Sequence, residues 1–248
     1  MKFKKLFAGV AAAATLLAGM AFGTGAANAA ETTVDTAATV TFKASKEKQL
    51  TSAQLSAYKI ADYVNYGTAK TPVYGVKTAA GANRTKLAAA LTAAGFQNVP
   101  IDGTTDLMAW AMNQKTTTDT DGTVTQVQFD QSETRPWNNP SVTRKFADAL
   151  QAGNPFTATA DPFVLNKATG NDTDGWTATN KTALTAGVYL FLDGNASTDT
   201  LTQAVPMIVS TGSVDAEGVL SLGDSTAEVD MKSTVSGTQT KSTTSKSA

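Results

Sequence analysis

The chain contains no cysteine, yet it opens on a segment that reads as an export signal. Met1-Lys2-Phe3-Lys4-Lys5 is basic, Leu6 to Gly23 is apolar and rich in alanine, and Ala27-Asn28-Ala29 supplies a small-x-small cleavage site. An exported chain without thiols has neither disulfides nor thiolate metal sites to hold it together. Its fold has to hold together without them. The Ala/Gly-rich run is short for a membrane anchor and a cleavage site follows it, so residues 1–29 are expected to be removed.

Removal leaves 219 of the 248 residues, enough for one large domain or two small ones. The chain also lacks histidine, which excludes Ser-His-Asp hydrolysis and His-ligated metal sites. Without the leader's three lysines, 17 basic residues face 21 acidic ones. That mild acidity argues against a nucleic-acid partner. No apolar stretch after the leader is long enough to span a bilayer. Threonine accounts for 41 residues, and its β-branched side chain suits the solvated faces of strands. The composition leans toward a β-rich extracellular module.

The hydrophobic pattern runs strands, helices, strands. Glu31 to Ala38 is polar and reads as a loose N-terminus. Thr39 to Lys43 alternates as a strand. Gln54 to Tyr66 is the strongest strand candidate, with apolar groups on both faces, as a strand buried on both sides requires. Asn83 is placed to cap a helix through Ala94, with Leu87, Ala90, Leu91 and Ala94 on one face and Gly95 ending it. A second helix is expected over Thr105 to Asn113. A third is signalled by Asn139 as cap, Pro140 in the first turn, the stripe Val142, Phe146, Ala149 and Leu150, and a stop at Gly153. Asp121-Gly122 suits a hairpin turn. Short strands follow at Phe163–Asn166, Gly187–Asp193, Ala204–Ser210, Val219–Leu222 and Ala227–Lys232. From Ser233 to Ala248 the chain is Ser, Thr, Lys, Gly and Gln apart from Val235 and Ala248, a composition that does not offset its own ordering entropy. A disordered tail is expected there. Two strand blocks separated by a helical middle suit one mainly β domain with helical insertions, over about residues 30–232.

Few residues suggest chemistry. Asp119 with Asp121, and Asp172 with Asp174, precede glycines and read as turns more readily than as halves of calcium loops. Asp62, Asp193 and Glu228 are candidates for a carboxylate pair of the glycosidase kind, although no spacing joins them. Trp110, Trp137 and Trp176 are candidates for a sugar-stacking platform. No cofactor is implied. The more informative residue is Lys59, a lysine inside a strand that looks buried. Such an ammonium must be paired, neutralised or consumed chemically, for instance in an amide bond to an Asn or Asp side chain, unless its stem snorkels to an edge.

Four segments then point one way. Leu55-Ser56-Ala57-Tyr58-Lys59-Ile60-Ala61-Asp62 resembles an early strand of Gram-positive, sortase-assembled pilins. Leu184-Thr185-Ala186-Gly187-Val188-Tyr189-Leu190-Phe191-Leu192-Asp193 is similar to a later one, Ala204-Val205-Pro206-Met207-Ile208-Val209 to the strand after it, and Thr39 to Phe42 to the opening strand. In order and spacing, residues 39–232 resemble the N-terminal domain of a major fimbrial subunit. The resemblance implies an Ig-like β-sandwich and a non-enzymatic structural role at the cell-wall surface, in a fimbrium. Partners would be other pilin subunits and a sortase. Val229-Asp230-Met231-Lys232 stands where the family places its pilin-motif lysine, which makes Lys232 the candidate intersubunit isopeptide lysine. In the same strand, Glu228 and Asp230 would share a face with Lys232. The sequence contains no L-P-x-T-G signal and no C-terminal apolar stretch, and residues 227–232 include no asparagine for an internal amide bond. A free secreted module that binds a host glycan or matrix protein is the alternative reading, and a two-carboxylate hydrolase a third.

The leader yields a direct expectation. Mass spectrometry of protein recovered from the medium should place the N-terminus at Ala30 or Glu31.

Overall fold

The computed structural model describes residues 31–68, 70–112, 114–118, 124–128, 140–195, 203–214 and 220–234. In chain order the elements are β1 (Thr32–Thr33), β2 (Ala37–Ala44), α1 (Glu47–Thr51), β3 (Leu55–Asn65), β4 (Tyr74–Thr78), α2 (Arg84–Ala94), α3 (Leu107–Met112), β5 (Gln114–Thr118), β6 (Val124–Gln128) and α4 (Pro140–Ala152). They continue with β7 (Thr169–Asn171), β8 (Gly175–Thr179), β9 (Leu184–Thr185), β10 (Gly187–Asp193), β11 (Gln203–Ala204), β12 (Met207–Ser210), β13 (Ser213–Val214), β14 (Leu220–Ser221), β15 (Thr226–Asp230) and β16 (Ser233–Thr234).

The protein is mainly β. One five-stranded sheet runs β1-β3-β10-β12, with β4 also on β3, and all its pairs are antiparallel. The second runs β15-β2-β8-β7, with β9 also on β2. It is antiparallel except where β15 lies parallel to β2. The two expected core strands, β3 and β10, pair directly.

Alternation explains how the sheets meet. Along β2, Val40, Phe42 and Ala44 are buried while Ala37 and Thr39 are exposed. The buried set faces Leu55, Ala57, Tyr189 and Phe191 of the first sheet. Phe42, Phe163 and Phe191 form a ring cluster with centroids 4.9–5.9 Å apart. Edge-on and tilted contacts of this kind add about 0.5–1.5 kcal/mol each beyond burial.

The other face of the first sheet is roofed by the helices. Leu87 and Leu91 of α2, Leu107 and Met108 of α3, and Phe146 and Leu150 of α4 pack on Ile60, Tyr63, Val188 and Leu190. Strand β10 is therefore covered on both sides, which is why its sequence is a continuous apolar run. The Asn83 carboxamide accepts from Lys86 N–H as the expected cap of α2. Gly95 ends that helix at φ +106°, a conformation open to glycine.

Several expectations are corrected. The segment 31–38 is not loose, since Thr32 and Thr33 pair with Asn65 and Val64 and β2 begins at Ala37. Phe163–Asn166 is not a strand. Its amides bond to Leu55 O, Thr182 Oγ1 and Thr179 O, three separate partners rather than one ladder. The strand expected over Ala204–Ser210 breaks at Val205-Pro206 into β11 and β12, where proline offers no amide. Thr105 and Asp106 lie outside α3, which starts at Leu107, because Asp106 turns its carboxylate onto the amides of Thr78 and Ala109. The tail expected to be disordered from Ser233 is ordered through Thr234, since β16 pairs with β11. The leader, Asp119 with Asp121, Trp137, Asn139 and residues 235–248 lie outside the described residues.

Tyr63 ties the roofed face to the loop after β12. Its hydroxyl is 2.6 Å from Ser210 Oγ and accepts from Gly212 N–H at 3.1 Å. Burial pushes its pKa up to about 12, against the smaller opposing effect of these hydrogen bonds. A folded-state value above the unfolded one favours the neutral form. Its stabilisation is complete below about pH 10 and is lost as the pH rises through 12. Urea titrations should thus show stability falling over that window by roughly 2–3 kcal/mol from this group. The Tyr63→Phe variant should show a correspondingly shallower fall.

Candidate functional site

Lys59 lies in the middle of the first sheet, opposite Tyr189. In a regular strand residues 59 and 62 would point to opposite faces. The β3–β10 register slips between Tyr189↔Lys59 and Val188↔Ala61, which leaves Ile60 as an extra residue in β3. This bulge turns Asp62 back onto the face that Lys59 occupies. The ammonium of Lys59 sits 2.6 Å from Asp62 Oδ1, and the two side chains are only 14% and 22% exposed. It also donates to Thr185 Oγ1 at 2.9 Å and stands 5.9 Å from the Tyr189 ring centroid.

Room for this arrangement comes from Gly187, the cross-strand neighbour of Asp62. A Cβ there would lie 2.4 Å from Lys59 Cε and 2.8 Å from Ala61 O. Lys59 is accordingly a paired, mostly buried strand lysine. Its stem crosses a glycine at the sheet's centre rather than snorkelling at an edge. Its polar contacts are with a carboxylate in its own strand and with a threonine.

Lys232 is exposed and follows the end of β15. Glu228 and Asp230 are exposed while Val229 and Met231 are buried, so the three polar residues share the solvent face as the alternation implies. Glu228, however, does not serve Lys232. Its carboxylate lies 2.6 Å from the ammonium of Lys43 on β2. The Lys232 carbonyl accepts from Val205 N–H at 2.8 Å, and β16 follows directly beyond it.

Of the three carboxylates considered for hydrolysis, Glu228 is taken by Lys43 and the other two are held apart. Asp62 is opposite Gly187 and Asp193 is opposite Leu55. The length of β10 between them corresponds to about 20 Å, well beyond the roughly 5–9.5 Å of a glycosidase pair. Asp193 is buried and accepts from the amides of Gln54, Asn195 and Ala204, which fastens three stretches of chain to the end of β10.

Nor do the two described tryptophans form a platform. Trp110 packs near Phe96 among the helices, and Trp176 packs against the inter-sheet cluster. Its indole N–H donates to Asp172 Oδ1. The hydrogen bond from Lys46, then that from Trp176, hold the Asp172 carboxyl below its usual range. Among the described residues no three His, Cys, Asp or Glu side chains gather as a metal site.

A groove of about 690 Å³ opens between α1, the start of β3 and residues 161–168. Leu50, Leu55, Phe163 and Leu165 form its apolar wall, with Asp161 and Lys167 on its lining.

No family model, curated protein or solved structure matches this chain. Among the described residues, no helix is long and apolar enough to cross a membrane.

Sequence reasoning singled out Lys59 and Asp62 but not their pairing, which the bulge creates. It missed Gly187, Thr185 and the Lys43–Glu228 pair altogether. The one sequence signal for Gly187 was a glycine among bulky β-formers, a pattern that often marks close approach by another group.

Two substitutions test the cluster. Gly187→Ala should cost about 2–4 kcal/mol, because the added carbon meets both a fixed carbonyl and the Lys59 stem. Asp62→Asn leaves the ammonium without its counter-charge and should cost about 1–3 kcal/mol. Urea unfolding followed by tryptophan fluorescence measures both.

Proposed function

We propose that the chain is a non-enzymatic, secreted or surface-displayed structural subunit of a fimbrium. In this reading its two-sheet core is an Ig-like β-sandwich resembling the N-terminal domain of sortase-assembled pilins, and it serves adhesion. One observation carries the proposal. The first long strand, β2, and the last, β15, run side by side in the same direction. A chain that comes in along β2 and goes out along β15 therefore has its two ends at opposite poles of the domain, as head-to-tail joining requires. The four pilin-like segments fall on β2, β3, β9–β10 and β11–β12, and all of these except β11, which pairs with β16, belong to the two five-stranded sheets.

In this role Lys232 is the acceptor amine. Sortase transfer needs a deprotonated amine to attack a thioester, and the amide forms as the enzyme's thiol leaves. An ordinary lysine has a pKa near 10.4, so a proton acceptor must stand close by. Glu228 is engaged by Lys43, which leaves Asp230 as the carboxylate on the same exposed face. The alternative, a free module that binds host glycan or matrix protein, draws on the groove beside α1.

The deciding experiment supplies the protein with the sortase of its own source and a donor ending in an L-P-x-T-G signal. Peptide mapping should find the donor on Lys232, and the Lys232→Ala variant should gain none. Equal adduct on the variant removes Lys232 from the role. No adduct on the wild type removes the fibre reading and leaves the binding module.

A further inference from the structure

The parallel β2–β15 pair has a mechanical consequence beyond its bearing on subunit joining. Thr226 to Asp230 pair in register with Thr39 to Lys43. The ladder is prolonged at both ends, by Thr39 N–H to Ser225 O at 3.0 Å and by Met231 N–H to Lys43 O at 2.7 Å. On the solvent face the Lys43–Glu228 ion pair crosses the same two strands at 2.6 Å. On the other face Val40, Phe42, Val229 and Met231 are all buried in the inter-sheet core.

Tension on the two ends of the domain pulls β2 toward its start and β15 toward its end. Because the strands are parallel, those pulls are opposed along the strand axis. Every hydrogen bond between them is then loaded together, with the buried side chains resisting the slide. Antiparallel terminal strands would present both ends at one pole, and their bonds would open one after another. The geometry points to β2–β15 as a mechanical shear clamp, made of hydrogen bonds and one ion pair in a chain that has no disulfide to take the force. Its biological use rests on the fibre reading, whereas the clamp itself does not.

The test compares two pulling directions on one folded protein. The chain has no cysteine, so introduced cysteines are unique attachment points. Asp35, Asp224 and Lys232 are exposed and, among the described residues, carry no side-chain hydrogen bond or ion pair. The double variant Asp35→Cys with Lys232→Cys loads the pair in shear. Asp35→Cys with Asp224→Cys pulls both strands from the same pole and peels them. In single-molecule pulling the shear direction should need about threefold more force than the peeling direction, since many hydrogen bonds rather than one oppose it at a time. Thermal unfolding of both variants at the wild-type midpoint establishes that the direction of pull is the only difference. Thr226→Cys replaces Asp224→Cys if that substitution lowers the midpoint. Equal forces in the two directions overturn the clamp. A strong clamp in a chain that takes no donor at Lys232 keeps this inference and discards the fibre reading, and the converse pair of results does the opposite.

Discussion

The β3–β10 pair is buried on both faces, and the rest of the molecule is arranged to make that burial possible. One face of β10 meets the second sheet through Tyr189 and Phe191, and the other meets the helical roof through Val188 and Leu190. With no disulfide to limit the unfolded chain, these two clusters carry the stability. Each polar group brought into this region has to find a partner inside it. Asp193 finds three amides, Tyr63 finds Ser210 and Gly212, and Lys59 finds Asp62 and Thr185.

The bulge at Ile60 shows what that requirement does to a strand. A regular β3 would have sent Asp62 to the roofed face and left the Lys59 ammonium without its counter-charge. One extra residue reverses the facing of all that follows, so Asp62 joins Lys59 while Ala61 and Tyr63 take the roofed side. Gly187 completes the arrangement by giving up a side chain at the point where the lysine stem crosses. The same residues that look, in one dimension, like a reactive lysine motif therefore form a neutral, closed unit of the sheet.

In the proposed reading, function resides at the poles and edges of the domain. The parallel pairing of β2 with β15 separates the points where the chain comes in and goes out, and it aligns those two strands with any force applied between them. Lys43 and Glu228 strengthen that pair at the surface, which takes Glu228 away from Lys232 further along the same face. A head-to-tail fibre subunit and a shear clamp make separate use of one topological fact.

Local sequence determined much of the element list. The Asn83 cap, the Gly95 stop, Pro140 in the first turn of α4 and the alternation of β2 each report a short-range physical rule, and each element stands where those residues put it. The burial of β3 on both faces was also legible, because both of its residue sets carry apolar groups. What the sequence left open depends on partners distant in the chain. The apolar run from Phe163 to Leu165 illustrates the limit. It has the composition of a strand, but the amides of this segment are taken by different neighbours. Pairing β2 with β15 joins Thr39 to Thr226, near opposite ends of the chain, and no local pattern distinguishes a parallel partner from an antiparallel one. The facing of Asp62 likewise depends on a register slip against β10. Local propensity fixed the identity of many of the elements, whereas the directions of the strands and the partners of the buried charges were decided only when the sheets packed.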